Sequence, residues 1–341
     1  MGKQARALAY SSRPAGRPAV IGHAVQAARR ALRYLGGGSE PHPRPLRRRA
    51  KSLAVPFAFP APAGDAQGLP PLLPRRAVIA HLFHTELAEE FLGYFSNIPG
   101  EVDLYLSTDT AAKAERLGPV FSAWKRGTVT VEVIPNVGRD MASKFVTFAD
   151  RYARYDILLF VHSKKSVYLD GGHDWRAMLL QTLCGSPETI ASVLHIFARE
   201  AGIGMVFPEH FPGIVDRLSW GGNRLSAGAL AERAGIALDR ARGFEFVSGS
   251  MFWARPAALA PLLTLGLRYE DFPPEEGQLD ATLAHALERL LLYSAETAGF
   301  DWIKIADPRY YPPSRDIIPV HDEDELRAAI ARCRTRLIAG P

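Results

Sequence analysis

Cysteine is scarce in this 341-residue chain: there are two, Cys184 and Cys333, far apart and with no metal-ligand spacing. That excludes a disulfide framework, argues for a reducing compartment and makes a structural zinc site improbable. Long apolar runs are also missing, and none approaches the ~20 residues of a membrane span. No apolar stretch follows the first basic residues, so no secretory signal is expected. A Gly-x-x-x-x-Gly-Lys-Ser/Thr loop is absent, which removes support for a P-loop nucleotide-binding regulator. Acidic residues are nearly absent from one region only. Residues 1–51 hold 12 Lys and Arg against a single acid, Glu40, a net of +11. The whole chain is +5, so the other 290 residues sum to −6. The basicity therefore belongs to an N-terminal arm, and a folded domain with a nucleic-acid footprint is not expected.

What is present is ordinary globular composition, 47% hydrophobic and 23% charged. The arm and an Ala/Pro-rich linker from Ala54 to Pro74 read as poorly ordered, with a short basic helix over Ala19 to Leu35. The arm suits either an anionic lipid surface or a solubilising tail. From Arg75 strands and helices alternate. Strands are expected over Ala77–Phe83, Val102–Ser107, Thr128–Ile134 and Ile157–Val161, and helices over Glu86–Phe95 and Met141–Tyr155. Such alternation predicts an α/β fold, a mainly parallel sheet sandwiched by helices. Further on, Trp175–Cys184, Pro187–Ala201 and Asp280–Tyr293 read as helices, and Gly202–Pro208 and Phe244–Ala254 as strands. The expected division is 1–74 arm and linker, 75–315 a folded domain and 316–341 a C-terminal helix.

The apolar run Ile157–Val161 stops at His162, Ser163, Lys164, Lys165 and Ser166. Ligands of open α/β sheets bind at the carboxyl ends of strands, so this tip is a candidate receptor for phosphate; the alternative is a solvated turn. The turn Pro135-Asn136-Val137-Gly138-Arg139-Asp140 offers Gly138 for positive φ and Asp140 as a helix cap. Asp170, His173 and Asp174 have the residue types of a metal site, although a metal there is not favoured.

Longer words sharpen this. Asp103-Leu104-Tyr105-Leu106-Ser107-Thr108, Pro135–Asp140, His162–Ser166, Trp175-Arg176 and Gly204–Pro208 stand beside Gly249-Ser250-Met251-Phe252-Trp253-Ala254-Arg255-Pro256 and Glu276-Gly277-Gln278-Leu279-Asp280-Ala281-Thr282-Leu283-Ala284-His285-Ala286-Leu287-Glu288-Arg289. Over about residues 77–310 the chain resembles the rhamnan synthesis F family of bacterial polysaccharide glycosyltransferases. One departure is Ala281, where glycine is expected. The resemblance implies a GT-A-like fold and hexosyl transfer, typically of rhamnose, from a nucleotide-sugar donor such as dTDP-rhamnose. The acceptor would be a lipid-linked intermediate of O-antigen, capsule or rhamnan. The resemblance also implies a nucleotide-binding half, about 75–165, and an acceptor and catalytic half, about 166–315, within the folded domain. The expected setting is cytoplasmic, with contact of the basic arm at the inner face of the plasma membrane as an alternative, and the charge distribution predicts no nucleic-acid partner.

In that fold the fourth strand usually ends in an Asp-x-Asp pair holding a divalent metal. Here His162-Ser163-Lys164 stands in its place, so cationic side chains are favoured over Mg or Mn for stabilising the leaving diphosphate. The expected donor contacts are Asn136, Arg139, Asp140, His162, Ser163, Lys164 and Lys165. Asp280 is the first candidate base for an inverting displacement and Glu276 the second; the competing reading is helix capping. Trp220, Asn223, Ser250, Trp253 and His285 are the expected sugar or acceptor contacts. The contrasting reading is a catalytically inactive domain that binds nucleotide or glycan within a biosynthetic complex.

Overall fold

The computed structural model describes residues 57–58, 74–163, 165, 172–238, 244–275, 280–313, 315, 317–320, 322, 324–325 and 328. The whole basic arm, the expected basic helix, Asp170, Lys164, Glu276 and most of the expected C-terminal helix lie outside them, as does the His173 side chain.

A single sheet organises the described residues. Its strands are β1 (Phe57–Ala58), β2 (Arg76–His81), β3 (Asp103–Thr108), β4 (Val129–Val133), β5 (Ile157–His162), β6 (Ile203–Pro208), β7 (Phe252–Ala254), β8 (Asp301–Ala306) and β9 (Ile318–Pro319). The order is β4-β3-β2-β5-β7-β6-β8-β1-β9. Every pairing is parallel except the two made by β7. The α-helices among the described residues are α1 (Ala88–Ser96), α2 (Ala111–Phe121), α3 (Arg139–Ala142), α4 (Gly172–Cys184), α5 (Pro187–Arg199), α6 (Arg224–Arg233), α7 (Ala260–Leu263) and α8 (Leu283–Thr297).

Alternation along the strands explains the layers. Val78, Ala80, Leu159 and Val161 face a core with Phe91 of α1, Leu117 of α2, Met178 of α4 and Ile190 of α5. Ala77, Ile79, Leu158 and Phe160 face the opposite core, with Met141, Leu230 of α6 and Leu287 and Leu291 of α8. Both faces are covered, which is why these strands read as unbroken apolar runs.

Several elements differ from expectation. The linker is not wholly irregular, because β1 pairs in parallel with β8 and β9. β8 has no counterpart in the sequence reading. The expected strand over Phe244–Ala254 is only β7, preceded by an irregular segment. The expected helix over Met141–Tyr155 is broken into α3, a π-turn at Ser143–Thr147 and a 3₁₀ segment at Ala149–Arg154. The break has local partners: the Tyr152 hydroxyl donates to the Lys144 carbonyl at 2.6 Å and the Thr147 hydroxyl to that of Ala142 at 3.3 Å. Such π-turns occur often at functional sites.

Inside the sheet, Lys304 of β8 is fully buried between Glu209 (3.1 Å) and Glu245 (2.9 Å). His210 bonds Glu245 and, at 2.8 Å, Ser248; Arg315 bonds Glu209 at 2.9 Å. Burial alone would raise both carboxyls, but Lys304 and its neighbours hold them below the usual range. A depressed folded-state pKa stabilises the fold above the ordinary Glu range, about 4.3, and that contribution is lost as pH falls below it. Lys304→Met removes the cation that two buried carboxylates share, and we expect urea melts to show a loss of about 3–5 kcal/mol.

Candidate active site

The order of strands reverses between β2 and β5: β3 and β4 extend to one side of β2, and the rest of the sheet lies beyond β5. The carboxyl ends of β2 and β5 therefore flank a topological switch point, where open α/β sheets bind ligands. His81 and His162 are register partners at this edge. His81 Nδ1 donates to the Ser107 hydroxyl (2.9 Å), which donates to Ser143 (2.8 Å). Burial holds His81 neutral, its pKa pushed down to about 4. His162 Nε2 lies 2.9 Å from the Gly249 carbonyl, to which it donates.

Above this edge two turns meet. Gly138 (φ 68°) and Arg139 (φ 52°) lead into α3, and Gly249 (φ 85°) and Ser250 (φ 50°) lead into β7. Asp140 joins them: its carboxylate takes the Lys144 ammonium and the Ser250 hydroxyl, while Lys144 also donates to the Ser250 carbonyl at 2.7 Å. All three side chains are buried. Burial would raise the Asp140 carboxyl; His162, Lys144 and Ser250 outweigh it and hold it below the usual carboxylate range. The Gly249 amide donates to Glu288 of α8 at 3.0 Å.

Arg139 stands at the rim, half-exposed. Its Nε donates to Glu275 Oε2 at 3.2 Å, its backbone N–H to Glu275 Oε1 at 3.1 Å, and its Nη1 lies 2.9 Å from His285 Nε2. Asp280 lies in the loop before α8, which begins later than expected and is capped by Thr282. Its carboxylate accepts from Asn223 Nδ2 (2.7 Å) and the Gly222 amide (3.4 Å), with Arg289 at 3.7 Å. Partial burial raises its pKa, but those donors, with the Ala281 amide, bring it below the ordinary value. Asp280 is therefore ionised at neutral pH, the form a base needs, at some cost in basicity.

Thus Arg139, Asp140, His162, Ser250 and His285 converge, and Asn223 and Asp280 adjoin them. Asn136 is exposed on the turn before Gly138. Asp140 is not the cap expected of it: Gly138 occupies that position, and Asp140 points into the fold. Trp253 requires correction as a sugar contact. It is fully buried, and its indole N–H bonds the Leu183 carbonyl at 3.0 Å. Phe252, on the other face, stacks on Phe160 and is equally buried, so both aromatics are core. Trp220 is half-buried between Phe244 and Tyr293.

The cationic tip is also different. Ser163 is buried and accepts from the His84 amide at 2.8 Å, and Lys165 pairs with Glu86. Among the described residues each cation here has a carboxylate partner: Arg139 with Glu275, Lys144 with Asp140, Lys165 with Glu86, and Arg289 with Asp280 and Glu288. The donor set at the end of β5 does not fit a divalent metal. His162 Nε2 and the Ser163 hydroxyl are already engaged, and no described cluster of three His, Cys, Asp or Glu could hold one. Lys144 escaped the sequence reading, although its i, i+4 spacing from Asp140 was a visible signal.

Comparison with known proteins fits this architecture. Residues 71–300, about two thirds of the chain, match the family described as rhamnan synthesis protein F. The chain belongs to that family. The chain is also 31% identical over 231 residues to an uncharacterized protein, WxcX, from Xanthomonas campestris pv. campestris (strain B100), and to its counterpart in strain ATCC 33913. These matches cover 66% of this chain and 32% of each relative, so the chain spans about a third of their length. No described helix is long and apolar enough to cross a membrane.

Ala281, where the family word suggests glycine, has φ 63°, and this explains the suggestion. A methyl built on Gly138 would meet the Phe272 ring at 2.4 Å, in a backbone conformation that already disfavours a side chain. We therefore expect Gly138→Ala to lower the melting temperature, with a loss above ~1 kcal/mol. Ala281→Gly should be tolerated, whereas Ala281→Val should cost about 1–2 kcal/mol by the same measurement.

Proposed function

We propose that this family member is a nucleotide-sugar-dependent glycosyltransferase of GT-A-like fold. The favoured reaction transfers rhamnose from dTDP-rhamnose to a lipid-linked polysaccharide intermediate at the cytoplasmic face of the membrane. The carrying observation is that all three described non-glycine residues with left-handed φ, namely Arg139, Ser250 and Ala281, gather around the switch-point edge. Backbone strain of this kind costs about 1–3 kcal/mol per residue and concentrates at active sites.

In the proposed reaction the acceptor oxygen attacks the anomeric carbon as the bond to the diphosphate oxygen breaks. The nucleoside diphosphate departs with the bonding electrons, and the acceptor proton passes to a base. Asp280 is the candidate, ionised and fixed by Asn223 and Gly222. Arg139, with Lys164, stabilises the charge that builds on the leaving group; a planar fork suits diphosphate oxygens. Glu275 engages the Nε and the backbone amide of Arg139.

Transfer from dTDP-rhamnose, followed by release of dTDP, tests the reading. Asp280→Asn should cut turnover at least ~100-fold while donor binding persists. Lys164→Ala should weaken donor binding. Activity in excess chelator should remain. If chelator abolished turnover and only magnesium or manganese restored it, the cationic mechanism would be wrong. If both variants behaved as wild type, a non-catalytic binding domain would be the better description.

A further inference from the structure

We propose that His285 is a positioning residue: it fixes the direction of the Arg139 guanidinium so that the fork is presented to the diphosphate of a donor. This rests on the reading of Arg139 as a diphosphate contact and replaces the expectation that His285 touches the sugar.

The geometry sets the roles of both ring nitrogens. Arg139 has only donors, so His285 Nε2, 2.9 Å from Nη1, must accept. Nδ1 then carries the proton and donates to the Thr282 hydroxyl at 2.8 Å. Thr282 is the N-cap of α8 and also receives the His285 backbone amide, so the ring is anchored to the first turn of a fifteen-residue helix. Burial and the charges of Arg139 and Arg289 outweigh Asp280 and Asp140, and push the imidazole pKa down to about 4. At neutral pH the ring is uncharged, as an acceptor must be.

The ion pair with Glu275 is a weak hold on the fork. The side chains of Arg139 and Glu275 are 40% and 24% exposed, and an exposed ion pair contributes little and leaves long side chains mobile. Glu275 fixes Nε; His285 fixes an outer nitrogen; together they define the guanidinium plane. A cation oriented before the ligand arrives avoids the ordering cost of binding.

The test is calorimetric titration of the full chain with dTDP and UDP, for wild type, Arg139→Ala, His285→Leu, His285→Gln and the Arg139→Ala/His285→Leu double variant. Arg139→Ala should weaken binding about tenfold or more. His285→Leu should weaken it about five- to tenfold, and Gln, whose amide oxygen can replace Nε2, should recover most of that loss. In the Arg139→Ala background the His285→Leu change should have no further effect. Full affinity in His285→Leu, an equal loss in both backgrounds, or failure of Gln to recover binding would overturn the inference. Unchanged affinity in Arg139→Ala would instead remove Arg139 from the diphosphate, and the inference with it. Nitrogen-15 shifts of the wild-type ring at pH 7 give a check independent of variant folding. They should report the neutral Nδ1–H tautomer; an Nε2–H or charged ring would contradict it.

Discussion

The buried contact of Asp140 with Lys144 and Ser250 is the constraint on which the site depends. It pins the short α3 turn, which follows an edge strand, to the segment entering β7 near the middle of the sheet. It joins the Gly138-Arg139 and Gly249-Ser250 turns directly, and α8 bridges them a second time through His285 and Glu288. A buried ion pair is a weak source of net stability, because desolvation offsets much of the attraction. Its value here is registry. Two backbone turns in unfavourable conformations are locked against each other by a buried carboxylate, ammonium and hydroxyl, with His162 also acting on Asp140.

The π-turn belongs to the same arrangement. In a regular helix over Met141–Tyr155, the residues of the 143–147 turn would take a different angular setting about the axis. With the π-turn in place, the Tyr152 hydroxyl donates to the Lys144 carbonyl, the ammonium meets Asp140 and Ser250, and Phe145 packs in the core. A sugar-transfer site at this edge would then inherit rigidity from the sheet rather than from its loops.

Much of the fold was legible because both faces of the sheet are covered. Runs such as Ile157–Val161 leave little ambiguity when every residue is buried. β8 was not legible: Lys304 interrupts its apolar pattern, and only the paired Glu209 and Glu245 make a lysine tolerable there. The two-residue strands β1 and β9 carry no periodicity at all. Gly138 was correctly marked as left-handed, since a glycine before a polar helix start has few other uses. Trp253 was misplaced because an indole in a glycine-rich word suits a sugar platform and a core equally; only the bond to Leu183 separates them. The pairing of Lys165 with Glu86 and of Arg139 with Glu275 joins residues 79 and 136 positions apart, beyond the reach of any local pattern.

The reversed direction of β7 has a consequence for how such a fold can diversify. In a sheet of uniform direction, only segments leaving a strand reach the ligand-bearing rim. Because β7 runs the other way, an arriving segment reaches that rim as well, and it lays its own main chain, Gly249 and Ser250, against side chains from β5 and α8. Insertions or deletions upstream of this arrival point alter the outer wall of the cleft without shifting the register of any neighbouring strand. The outer wall of this rim can thus vary while the strands beneath it keep their pairing.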